Sequence, residues 1–172
     1  AEKEMPEGYY RNVTGLVARV ADAMEAAHEA GIIHRDLKPS NVMIGEFGEV
    51  LVLDWGIARV GEATGEETRG FETGEGPTGE VGPMKTAEGA RMGTILYMPP
   101  EQALGDRARV DERSDIYSLG ATLYELLTLE MPFEIVGEGT WAIHEVLAQV
   151  VAGAWIPVIE RTGDTAIPRE IE

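Results

Sequence analysis

The 172-residue chain has no cysteine, which excludes disulfides and thiolate zinc sites and fits a reducing compartment. It has no apolar run long enough to cross a bilayer, so no membrane segment is expected. The opening "AEKEMPEGYY" lacks the basic and apolar regions of a signal peptide, and a cytoplasmic location is expected. Positive charge is scarce: 14 Lys and Arg stand against 31 Asp and Glu, a formal net charge of −17. Such a surface repels phosphate backbones and anionic lipid, so nucleic acid and membrane are poor partners. Histidine is scarce too, and His28, His34 and His144 are scattered rather than spaced as metal ligands. What remains is a 44% apolar content, ordinary for a soluble domain, in a length that suits one domain with a core.

Val13, Leu16, Val17, Val20, Met24 and Ala27 recur at three- and four-residue spacing. That stripe predicts a helix over residues 12–30, with Gly31 as its C-terminal stop. Two β-rich runs, 42–45 and 50–53, flank "GEFG" and predict a hairpin. From 62 to 89 there are seven Gly, five Thr and seven Glu against Arg69 and Lys85, a charge of −5, with few large apolar residues. This stretch reads as a long, exposed acidic loop. Residues 114–128 predict an apolar helix buried on several sides, and 140–152 predict another with Gly153 behind it. The last twenty residues, with Pro157 and Pro168, read as irregular, although "PREIE" could open a further helix. Trp141 and Trp155 are expected to pack in the core.

The chemistry concentrates in "HRDLKPSN", residues 34–41. Asp36 and Asn41 lie five apart on a segment that Pro39 keeps from being a helix, and Asp54 follows at the end of an expected buried strand. Carboxylate and amide oxygens grouped in this way suit a hard cation such as magnesium, which keeps water and phosphate for its other positions. Lys38 could offset charge on a transferring phosphoryl group, and Asp36 could accept or orient a hydroxyl proton. A lone Asp or Asn in a loop more often simply forms a turn. The full octapeptide with Asp54 behind it is better explained by phosphoryl-transfer geometry.

These residues resemble the C-terminal lobe of a protein kinase. "HRDLKPSN" is similar to the catalytic loop, and "DWG" (54–56) stands where the family has Asp-Phe-Gly. "MGTILYMPPE" (92–101) resembles the end of the activation segment, and "DERSDIYSLG" (111–120) resembles the region that opens the lobe's central helix. Lys38 points to the serine/threonine class, and "EGARMGTILYMPPEQALG" is similar to bacterial members. The resemblance implies a mainly α fold with a small β-hairpin, a kinase-like C-lobe with the N-lobe absent. It implies one partial kinase domain over residues 1–172, with catalytic loop 34–41 and activation segment 54–101.

It further implies Asp36 as catalytic base, Lys38 as the phosphate-stabilising lysine, Thr94 as a bridge between them, and Asn41 and Asp54 as nucleotide and metal ligands. ATP and Mg2+, with Mn2+ as an alternative ion, are the implied cofactors, and a protein is the implied substrate. Asp115 would hold the catalytic loop from below, His34 would pack in the core, and Trp55 and Gly56 would complete the "DWG" turn. Trp55 is bulkier than the usual Phe and brings an N–H that needs a partner. Glu101 would pair with a late arginine, for which Arg161 and Arg169 are candidates. Arg35 marks possible regulation by loop phosphorylation, with Thr86 as first choice among the loop threonines and Arg59 or Arg91 as its neighbour.

One further string, "GEGPTGEV" (74–81), matches the glycine-rich loop that covers ATP phosphates. Neither flank reads as a strand, and Glu75 and Glu80 would face phosphates with negative charge, so it reads as part of the long loop. None of Lys3, Lys38 and Lys85 sits in a Val-Ala-x-Lys strand, so the sequence is expected to be a fragment of a longer kinase, inactive alone, with the missing N-lobe as its partner in the parent chain. Two alternatives stand beside a Ser/Thr kinase. A silent pseudokinase or scaffolding module would normally have lost Asp36, Asn41 or Asp54. An aminoglycoside phosphotransferase type shares His-x-Asp-x-x-x-x-Asn but has no use for "GTILYMPPE".

Overall fold

In the computed structural model, the described residues are 5–55, 59–60, 92–137 and 139–162. The expected acidic loop, "GEGPTGEV", Gly56, Thr86, Arg169 and "PREIE" lie outside them. The architecture is mostly helical with small antiparallel β pairs.

Helix α1, Tyr9–Glu29, starts earlier than the apolar stripe suggested. Gly8, at φ 78, reverses the chain ahead of it, and Tyr9 and Tyr10 add an aromatic first turn in edge-to-face contact at 5.5 Å. Its stripe works as expected: Val13, Val20 and Met24 are buried. Gly31 stops the helix at φ 72, its N–H bonded to the His28 carbonyl at 2.8 Å. Strand β1, Ile32–Ile33, follows and pairs antiparallel with β4, Arg59–Val60, a pairing that the sequence did not signal.

A 3₁₀ turn, Pro39–Asn41, then opens the hairpin. Pro39 excludes an α-helix but starts this tighter turn, since its fixed φ suits a first helical position. Strands β2, Val42–Ile44, and β3, Val50–Val52, pair in the register Val42↔Val52, Met43↔Leu51, Ile44↔Val50. Gly48, at φ 86, closes the connection with its N–H on the Gly45 carbonyl at 3.1 Å. The hairpin is not the buried strand pair expected. Met43 and Leu51 are exposed on one face, while Val42, Val50 and Val52 pack on α1 and Leu37. Strict alternation puts only one face of a two-stranded ribbon on a core.

Short helices α2, Met92–Ile95, and α3, Pro100–Ala103, lead to the long helix α4, Glu112–Thr128. Asp111 caps α4 by accepting the Arg113 N–H at 2.9 Å. Ser114, Asp115, Ser118, Leu119, Thr122 and Leu127 are all buried, so α4 is enclosed on several faces as its sequence implied. Its buried serine and threonine hydroxyls are satisfied: Ser114 donates to Glu101 Oε1 at 2.5 Å, Ser118 to the Tyr97 carbonyl at 2.8 Å and Thr122 to the Ser118 carbonyl at 3.0 Å.

Helix α5, Gly139–Ala152, buries Ala142, Val146, Leu147 and Val150, and the last three cluster with Ile95, Leu96, Tyr97 and Phe133. Full burial of a Val or Leu side chain is worth about 1.5–3 kcal/mol, so this cluster fixes α2 and α3 firmly. Trp141 and Trp155 correct the core expectation: they are 82% and 63% exposed. The stripe facing inward is 142–146–150, and Trp141 falls one residue off it. The tail also forms a short helix, α6, Val158–Thr162, where an irregular segment was expected, because Pro157 starts it through the Glu160 N–H at 3.0 Å.

Candidate active site

The site is assembled at one end of the β2–β3 hairpin. Asn41 directly precedes β2 and Leu53 directly follows β3, and the Leu53 N–H donates to the Asn41 carbonyl at 2.7 Å. The ladder therefore delivers Asn41 and Asp54 to the same end of the ribbon. Asp54 is exposed, with a left-handed φ of 64. That backbone state is uncommon for a residue with a side chain, although Asp tolerates it better than most.

Asp36, Lys38, Asn41 and Thr94 meet. Lys38 Nζ lies 2.6 Å from Asp36 Oδ2 and donates to Thr94 Oγ1 at 3.1 Å. Asn41 Nδ2 donates to the Asp36 carbonyl at 2.8 Å and to Asp36 Oδ2 at 3.3 Å. Thr94 thus touches the lysine, and the lysine links it to the carboxylate. Among the described residues, Asp36 Oδ1 has no hydrogen-bond donor, and neither does Asn41 Oδ1.

Below this cluster sits Asp115, whose side chain is fully buried. Its Oδ2 accepts the His34 N–H at 2.8 Å and its Oδ1 accepts the Arg35 N–H at 2.8 Å. His28 Nε2 reaches the same Oδ2 at 2.8 Å. One buried carboxylate on α4 therefore holds two consecutive backbone amides just ahead of Asp36. Arg35, at φ 70, is in an uncommon backbone state for a residue with a side chain, and these bonds help to maintain it.

His34 is buried as expected, and it is also wired. Its Nδ1 accepts the Asp36 N–H at 3.3 Å and its Nε2 donates to the Leu53 carbonyl at 2.9 Å, which assigns the Nε2–H tautomer. Trp55 stacks edge-to-face on it at 4.7 Å and gives its indole N–H to the Val52 carbonyl at 2.9 Å, the partner that the bulkier residue required. The two neighbours of the site, residues 34 and 55, thus tie the loop to the end of β3.

Glu101 does not pair with Arg161. Its Oε1 accepts the Ser114 hydroxyl at 2.5 Å. Arg161 instead faces Glu130 at 3.3 Å and donates to the Met131 and Phe133 carbonyls at 3.3 Å each. The loop 130–133 offers that guanidinium clustered acceptors, whereas Glu101 has a nearer donor. Beside Glu101, burial and then the nearby carboxylate push the Tyr117 phenol up to about 12. Burial and a 2.6 Å bond to Glu125 push the Tyr97 phenol well above its usual range.

Two residues in this network escaped the sequence reading. In the sequence His28 is one scattered histidine among three, yet its ring ends on Asp115. Gln102 lies next to the "PPE" string, and its amide reaches the Arg35 carbonyl at 3.0 Å. Spacing could not reveal either contact, since the partners lie 87 and 67 residues away.

The arrangement can hold one carboxylate beside a cation and offer further oxygens to a hard ion. Asn41 spends its Nδ2 on Asp36 and leaves Oδ1 as an acceptor, and Asp54 presents an exposed carboxylate. Two such oxygens, with water and phosphate completing the shell, fit a magnesium-type ion.

Comparison with known proteins identifies the family. A family profile described as protein kinase domain matches residues 3–167. The serine/threonine-protein kinase PknD of Protochlamydia amoebophila is 45% identical over 115 residues, which is 67% of this chain and 11% of the relative. A probable serine/threonine-protein kinase, SCO3848 of Streptomyces coelicolor, is 40% identical over 141 residues, 82% of this chain and 17% of the relative. The probable serine/threonine-protein kinase PknB of Corynebacterium glutamicum is 44% identical over 128 residues, 74% and 17%. The chain therefore spans well under a quarter of the length of these relatives. It belongs to the protein kinase family, is similar to bacterial serine/threonine kinases, and has that family's kinase-like fold.

Proposed function

We propose that this chain carries the catalytic half of a serine/threonine protein kinase, a C-lobe whose residues move the ATP γ-phosphoryl group to a protein hydroxyl. The observation that carries the reading is the Asp36–Lys38–Thr94 cluster seated on Asp115. Asp36 Oδ1 is the acceptor for the substrate hydroxyl proton. Lys38, anchored by Asp36 and Thr94, faces the phosphoryl oxygens as charge builds on them. Asn41 and Asp54 would hold magnesium, with manganese as the alternative, and the ion would supply charge neutralisation at the phosphates. As the hydroxyl oxygen bonds to the γ-phosphorus, the bond to the bridging oxygen breaks, ADP leaves, and the proton rests on Asp36.

Positioning supplies most of the rate in such a reaction. The strand pair, lysine and helix that clasp ATP from the other side are not evident in these 172 residues, so the isolated chain is inactive on this reading. The boundaries 34–41 and 54–101, and a cytoplasmic site where ATP is present, belong to the same proposal.

The test is incubation of the protein carrying this chain with ATP, magnesium and a generic basic protein, followed by phosphoamino-acid analysis. Label on serine and threonine supports the reading. Absence of transfer, with ATP binding intact, would favour a scaffolding pseudokinase.

A further inference from the structure

Both backbone polar groups of Arg35 are gripped, and only one of the two grips belongs to Asp115. The Arg35 N–H goes to Asp115 Oδ1 at 2.8 Å, while the Arg35 carbonyl accepts Gln102 Nε2 at 3.0 Å. That carbonyl belongs to the amide whose nitrogen is Asp36, and the Asp36 N–H in turn meets His34 Nδ1. Because a carbonyl can only accept, the amide of Gln102 must present its NH2 group here. Arg35 sits at φ 70, a conformation that a residue with a side chain adopts only when held. Rotation of the 35–36 peptide would swing the Asp36 carboxylate away from Lys38.

The clamp has a rigid base. Gln102 is on α3, whose first turn closes through the Gln102 and Ala103 N–H groups on the Pro99 carbonyl at 3.1 and 3.0 Å. The next residue, Ala103, is 1% exposed in the core built on Val146 and Val150. The side chain is itself partly buried.

We infer that Gln102 is a positioning residue, which couples the end of the activation segment to the catalytic loop by fixing the peptide that orients Asp36. The inference rests on the proposed role of Asp36. Displacement of α3 by even a fraction of an ångström would be passed to the catalytic carboxylate through this single bond, since hydrogen bonds weaken steeply as distance and angle degrade. Glutamine is needed for its donor: methionine has the same length without it, and glutamate would set a carboxylate against the Arg35 carbonyl.

The test uses Gln102→Met and Gln102→Glu in the protein that carries this chain, with Asp36→Asn as control. Gln102→Met should lower kcat by about 2- to 12-fold, the worth of one hydrogen bond, with KM for ATP unchanged. Gln102→Glu should lower it further. Hydrogen exchange should rise in the peptide covering residues 34–41 in both variants. Exchange that rises only around residues 99–105, with kcat unchanged, would overturn the inference and leave Gln102 a local packing role. If either variant fails to fold, the other still decides. If Asp36→Asn abolishes turnover but neither Gln102 variant changes kcat, this inference fails alone. If Asp36→Asn keeps turnover, the proposed role of Asp36 fails with it.

Discussion

Replacing Asp115 by asparagine alters the side chain by a single functional group but removes much of what holds the catalytic loop. Asp115 accepts the N–H groups of His34 and Arg35 at 2.8 Å, and its side chain is fully buried. Asparagine keeps one acceptor oxygen and turns an NH2 group toward the second backbone N–H. One amide is then orphaned against a donor. A hydrogen bond to a charged acceptor contributes about 1.5–3 kcal/mol, and an unsatisfied buried donor costs about 1–3 kcal/mol. The expected loss is therefore about 2–5 kcal/mol, and each kcal/mol lowers Tm by about 2–4 °C in a domain of this size. His28 should be coupled, because it contacts the same Oδ2. A double-mutant cycle with His28→Ala should be non-additive by more than about 0.5 kcal/mol. The assay is thermal unfolding of the protein carrying this chain, with kcat beside it. Tm within a degree of wild type, together with unchanged turnover, would refute the idea that Asp115 carries the loop.

Three further outcomes follow from the same contacts. Tyr117 has its phenol pushed up to about 12 from an ordinary 10, so the folded state keeps the proton longer than the unfolded state. Its contribution is whole below pH 10 and is lost as pH rises toward 12, and denaturant melts across that window should be flatter for Tyr117→Phe. Trp141→Ser removes an 82% exposed ring and should change stability by no more than about 0.5 kcal/mol in chemical denaturation. Asp54→Asn should weaken the magnesium–nucleotide complex, seen as a raised magnesium requirement in nucleotide-binding titrations, whereas Lys38→Met should leave that requirement near wild type and lower turnover.

Much of the helical fold was legible because α1, α4 and α5 show their burial through spacing: Val13, Val20 and Met24, or Ala142, Val146 and Val150, recur at helical intervals. The hairpin was legible through its Gly-bounded turn. Its degree of exposure was not, since Met43 and Leu51 alternate with valines in a run that looks uniformly apolar. The β1–β4 pairing was hidden because two-residue strands carry no period. Within the site, Asp36, Lys38, Asn41 and Asp54 were found because motif spacing carries their chemistry. The contacts around them were not, since His28 and Gln102 act across 87 and 67 residues, and Ser114 acts on a side chain for which another partner was expected. Glu101 shows the last case: a late arginine was expected, and the Ser114 hydroxyl is what reaches it.

The most direct test of the central claim is a comparison of ATP affinity and turnover for Asp36→Asn in the protein that carries this chain. Asparagine keeps the contact to Lys38 through its oxygen but can no longer take a proton. Nucleotide affinity should stay within about twofold, and kcat should fall by about 10²–10⁴-fold, the usual worth of a positioned acid–base group. Wild-type turnover in Asp36→Asn would contradict the account, because no other described carboxylate shares the cluster with Lys38 and Thr94.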